Sequence, residues 1–153
     1  MNRMNGVIIA GDSDDSYSFV KMQVGGVLNV SHDLCGFKEC NYPEIEYMQV
    51  GLIDGPGNEV IGYCSAILSL VVLARRHKLV GVYNHGGGMA FAVSAMYLNL
   101  VSGKFRADST KWSHWMTWNE RIKEIGEIPT FDIHTVHIEA FSKIPYGLME
   151  AFL

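Results

Sequence analysis

Charged side chains are scarce in this chain, at 18% of 153 residues, and they lean acidic, with a formal net charge of −4. General nucleic-acid binders draw most of their affinity from Lys and Arg that neutralise phosphates, so that class is disfavoured, although a local basic patch is not. Cysteine is scarcer still. Cys35, Cys40 and Cys64 form no Cys-x-x-Cys pair, and an odd number of thiols suits a reducing compartment better than a disulfide scaffold. Long apolar runs are also missing: no 18 consecutive apolar residues occur, which excludes the usual membrane span. The opening "MNRMNGVIIAGDSDD" has one Arg and a brief apolar run before an acidic cluster, without the length and cleavage pattern of a signal peptide. These absences predict a cytoplasmic protein with no membrane attachment.

Apolar residues, by contrast, make up 48% of the chain, enough to bury a substantial core within a single domain over 1–153. There is no linker, low-complexity tract or internal repeat. Short buried strands are predicted at 6–10, 25–30, 45–52 and 78–84. A helix behind the acidic "DSDD" places Tyr17, Val20 and Val24 on one face. A second helix spans "EVIGYCSAILSLVVLARRH", where Arg75, Arg76 and His77 complement its carboxyl end. A third runs over 90–103 towards Gly103, and the C-terminal segment from His134 is helical with an interruption near Pro145. This order predicts an α/β fold: a central, mostly parallel sheet of four or five strands with helices on both faces.

"GVYNHGGGMAF" at 81–91 follows the last strand, at the carboxyl end where ligands gather in such sheets. Successive N–H groups of a glycine-rich turn entering a helix form a concavity suited to anions. The candidate ligand-binding residues are therefore His85, Gly86, Gly87, Gly88, Met89 and Ala90, with Met89 and Phe91 suited to an apolar group nearby. The loop lacks the Lys and Ser/Thr of a Walker motif, and its glycines equally serve a tight turn and close helix–sheet packing.

"GGVLNVSHDL", "IEYMQVGLIDGPGNEVIGYCSAI" and "KLVGVYNHGGGMAFAVSAMYLNL", in that order, resemble the dual-specificity branch of the cysteine-dependent protein phosphatases. The likeness covers roughly residues 6–102, and beyond Gly103 the family implies two or three terminal helices. The family signature is His-Cys, two residues, Gly, two residues, Arg, then Ser or Thr. Laid on this chain it falls on Tyr83, Asn84, Gly87, Ala90 and Phe91, so only the glycine and the loop length survive. Asn84 stands at the nucleophile position, and its amide cannot serve as an activated thiolate does. Ala90 replaces the arginine that clamps phosphate oxygens, and Phe91 replaces the residue that assists the leaving sulfur. Asp54 matches the general acid, which has no reaction to assist without a nucleophile. The resemblance thus implies a degenerate member, a pseudophosphatase with no catalytic residue in place and no cofactor.

Such a protein is expected to hold a phosphorylated protein, a nucleotide or another small anion in the loop. The alternatives are a protein-interaction or homodimeric scaffold with a vestigial pocket, and a phosphoester hydrolase using Asp54 and His85 without cysteine. Trp112, Trp115 and Trp118, three residues apart, fit either core packing or a partner-binding helix face. His134 and His137 share a spacing that zinc sites use, but no third ligand is fixed by it, and no metal is expected. "NHGGGMAFAV" also has a similarity to the glycine-rich stretch of macro domains, which cradle ADP-ribose phosphates. That stretch follows an early strand there, and the order of elements here favours the phosphatase fold.

Overall fold

The protein is described by a computed structural model over residues 7–13, 16–32, 42–53, 55, 57–85, 87–102 and 135–153. Four strands, β1 (Val7–Asp12), β2 (Gly26–Ser31), β3 (Glu46–Leu52) and β4 (Leu79–Asn84), form one sheet in the order β1-β4-β2-β3. Every pairing is parallel, so all four carboxyl ends lie on one edge, with Asp12 level with Asn84. β2 and β4 are buried along their whole length, as the central strands of a sheet covered on both sides must be.

Alternation along the strands divides the core. Ile8, Leu28, Val30, Val80 and Val82 face one hydrophobic cluster with helices α2 (Val60–Arg76) and α3 (Gly88–Ser102). Ile9, Val27 and Tyr83 face the other, with Phe19 of α1 (Ser16–Lys21). Gly81 makes the second approach possible: a Cβ there would lie 2.8 Å from Phe19 Cδ2. α1 is shorter than its apolar pattern predicts, because the chain turns at Gln23, whose φ is 61°. α3 carries no charge and is buried from Met89 to Leu98, so it is apolar all round and not amphipathic. α4 (Thr135–Lys143) and α5 (Tyr146–Met149) are separated at Pro145, where the sequence predicts the break, and a 3-10 turn at Glu150–Phe152 ends the chain.

The four-stranded parallel α/β domain agrees with the predicted fold class. The cluster Arg75–His77 does more than complement a helix end. Arg76 pairs with Glu46 at the start of β3, His77 Nε2 lies 2.8 Å from Glu46 Oε1, and Arg75 donates to the carbonyl of Phe152. Cys64 is free and buried, and burial raises its pKa above the usual thiol value. The tryptophans, Cys35, Cys40 and His134 lie outside the described residues.

Candidate functional site at the carboxyl end of the sheet

β4 delivers Asn84 to the middle of the carboxyl edge, and α3 begins four residues later. Gly87 lies between them with φ 82°, a left-handed conformation that glycine adopts without strain. Its N–H donates to the Asn84 carbonyl at 3.2 Å.

Asn84 is 2% exposed and both ends of its amide are engaged. Oδ1 accepts from the Ala90 N–H at 3.0 Å, and Nδ2 donates to the His85 carbonyl at 3.0 Å. The His85 N–H donates to Ser31 Oγ at 3.2 Å. Three N–H groups of the stretch, those of His85, Gly87 and Ala90, are thus turned to internal acceptors. Met89, Ala90 and Phe91 are at most 1% exposed and their side chains belong to the core, so the expected apolar contact of Met89 and Phe91 with a ligand is not available. What these positions offer is backbone. Around Gly88 the surface is open: an added Cβ would meet nothing within 4 Å.

No Lys or Arg occurs from Leu79 to Gly103, and Asp12 stands beside Asn84 in register, its carboxylate accepting from Ser13 Oγ at 3.1 Å. The amino end of α3 and Asp12 both contribute to the local field, with His85 exposed at the rim. Asp54 and Gly86 lie outside the described residues. Asn58 is tied back to the end of β3, its Oδ1 accepting from the Ile53 N–H at 2.7 Å while Nδ2 donates to the Ile53 carbonyl at 2.6 Å.

The support beneath the loop was not foreseen from sequence. Asn29 and Ser31, both buried, join Tyr47 and Gln49 in a closed ring. Asn29 Nδ2 donates to Tyr47 Oη at 3.1 Å, Tyr47 Oη to Gln49 Oε1 at 3.0 Å, and Gln49 Nε2 to the Ser31 carbonyl at 3.0 Å. The Ser31 N–H closes it on Asn29 Oδ1 at 2.9 Å. The register of β2 on β3 shifts between Asn29 and Ser31, and these side chains take over the backbone groups there. One signal was present, a lone Asn inside the apolar run "GVLNV".

No model of a known protein family matches the sequence, and no curated protein sequence matches it. Solved structures do. The chain is similar to human DUSP28, with a TM-score of 0.68 and 15% identity over 99% of each chain. It is similar to DUSP15, with a TM-score of 0.66 and 9% identity over 99% of this chain and 90% of that one. TpbA of P. aeruginosa, in complex with pTyr, superposes with a TM-score of 0.59 and 12% identity, covering 97% of this chain and 86% of that one. The protein has the fold of the dual-specificity and protein tyrosine phosphatases, as the order of its motifs implies. At these identities the likeness is one of fold.

Proposed function

We propose that this chain is a phosphatase-fold protein that works by binding and not by cysteine-dependent hydrolysis, acting as one cytoplasmic domain over 1–153. The observation that carries this reading is the state of Asn84: buried, with both amide ends bonded within the loop, it is a structural cap and not a nucleophile. The absence of Lys and Arg from Leu79 to Gly103 supports the same reading, because the loop itself carries no cation for phosphoryl transfer. Asp54 and His85 alone supply neither a nucleophile nor that charge. The ligand class is a phosphorylated protein, a nucleotide or a small anion, seated at the open amino end of α3 on backbone N–H groups. That TpbA, a protein of similar fold, is seen in complex with pTyr supports a phosphoryl ligand as the class. With neutral donors only, and three of them already spent, affinity is weak.

The test is a thermal-shift titration with phosphate, tungstate, ADP-ribose and phosphotyrosine, on the wild type and on Gly88→Glu. Gly88 has room for a side chain, and a carboxylate at the start of a helix favours folding, so this variant repels an anion without unfolding the protein. A saturable rise in Tm that Gly88→Glu abolishes supports the loop as the site, and a rise that survives moves the anion elsewhere. Turnover of p-nitrophenyl phosphate by the wild type, lost on mutation of Asp54 or His85, overturns the non-catalytic reading.

A partner-binding role with a vestigial loop has its own support in Leu148 and Phe152, which are 79% and 57% exposed near the chain end. It predicts association that is independent of anions and lost in Leu148→Ser with Phe152→Ser, measured by sedimentation.

A further inference from the structure

Away from the loop, α4 and the start of α2 border a cavity of about 240 Å³ that none of the described residues from 84 to 90 lines. This lies below the roughly 300–1,000 Å³ of pockets for drug-sized molecules, so its occupant is small. Val60 and Ala140 give it an apolar lining, and Asn58, Tyr63, Glu139 and Lys143 supply polar groups.

Two of the four polar groups are already committed. Asn58 is engaged with the Ile53 N–H and carbonyl, and its Nδ2 also lies 3.3 Å from Tyr63 Oη. That leaves Glu139 and Lys143, both exposed on α4. They stand four residues apart with Glu on the amino side, the arrangement in which such pairs close most readily on a helix. Here they do not close. Neither Glu139 nor Lys143 takes part in an ion pair among the described residues. A carboxylate and an ammonium, unpaired and about 5–6 Å apart at their Cβ atoms, therefore border one small cavity with an apolar lining.

We propose that this cavity binds a small zwitterion, an α-amino acid with an apolar side chain. Its ammonium group pairs with Glu139, its carboxylate with Lys143, and its side chain rests on Val60 and Ala140. A simple amine or a simple acid satisfies only one of the two protein charges and meets repulsion from the other. A free amino acid satisfies both.

The experiment titrates 15N-labelled protein with L-leucine, with leucinamide, which lacks the carboxylate, and with 4-methylpentanoate, which lacks the amine. L-Leucine is expected to shift the amide signals of residues 57–63 and 139–143 saturably, and each analogue to bind about two- to fivefold more weakly. Lys143→Met and Glu139→Gln, both exposed and outside the core, each reduce leucine affinity by a similar factor while leaving Tm unchanged. Ala140→Phe, which fills the cavity, abolishes the shifts. Absence of saturable shifts in the wild type overturns the proposal, and so does leucine binding that neither charge-removing variant weakens.

Discussion

Asn84 and Ala90 are joined through a hydrogen bond from the Ala90 N–H to Asn84 Oδ1, 3.0 Å long, that links the end of β4 to the first turn of α3. Two positions of the loop are thereby committed to one another. Asn84→Ala leaves the Ala90 N–H and one acceptor site of the His85 carbonyl without their partner in a buried setting. The expected cost is about 1–3 kcal/mol, measured by urea unfolding. Asn84→Asp keeps the acceptor, but it sets a buried carboxylate oxygen against the His85 carbonyl and beside Asp12, so its cost is at least that of Asn84→Ala. Equal stability of the wild type and Asn84→Ala would show that the cap carries no weight.

Gly81 and Phe19 define how closely α1 sits on the sheet. A Cβ on Gly81 falls 2.8 Å from Phe19 Cδ2 and 3.0 Å from Cε2, and Phe19 is fully buried. Gly81→Ala is expected to destabilise by about 1–3 kcal/mol through overpacking. Replacing Phe19 with Leu costs stability alone but relieves the clash, so the double variant loses less than the two single losses added together. A double-mutant cycle in urea measures that difference, and strict additivity excludes the clash as the cause.

Asn58 holds the 53–58 turn through the Ile53 N–H and carbonyl, beside glycines at 55 and 57 whose φ values are 148° and 114°. A turn with two such residues has little conformational preference of its own, so the clasp supplies its shape. Asn58→Ala should cost about 1–2 kcal/mol, discounted for the partial exposure of these bonds. Faster amide exchange is expected at Ile53 and its neighbours while α2 stays protected beyond its first turn. Unchanged exchange at Ile53 would mean that the turn is held by something else.

The sheet was legible because its strands are short apolar runs bounded by glycine and polar residues, and a parallel order follows when helical patterns separate them. The loop was legible as a motif, since "NHGGGMAF" kept the glycine that now has φ 82°. Its internal wiring was not. Whether Asn84 faces a ligand or the Ala90 N–H depends on a rotamer that no spacing encodes. Met89 and Phe91 read as suited to an apolar group of a ligand, yet α3 begins at Gly88, two residues before the pattern suggests, and both side chains belong to the core. The ring of Asn29, Ser31, Tyr47 and Gln49 joins residues 18 apart, a pairing that only the register of β2 on β3 creates. The pattern sets Arg76 and His77 against their own helix end, whereas their partner Glu46 comes from a strand 30 and 31 residues earlier.

Glu46 links that ion-pair cluster to acid stability. Hydrogen bonding from His77 holds its carboxyl below the ordinary value of 4.5, opposed by partial burial and reinforced by the charge of Arg76. A folded-state pKa below the unfolded one means that the unfolded chain binds the proton more readily. The stabilisation from Glu46 is therefore fully present above pH 4.5 and is lost as pH falls through the lowered folded-state value. Because the Arg76 side chain is 60% exposed and that of Glu46 is 31% exposed, the contribution is modest, at most about 1 kcal/mol. Glu46→Gln should lower Tm at neutral pH, and the gap between it and the wild type should narrow steadily as pH drops below 4.5. A gap that stays constant down to strong acid would assign the loss to packing around the side chain instead of its charge.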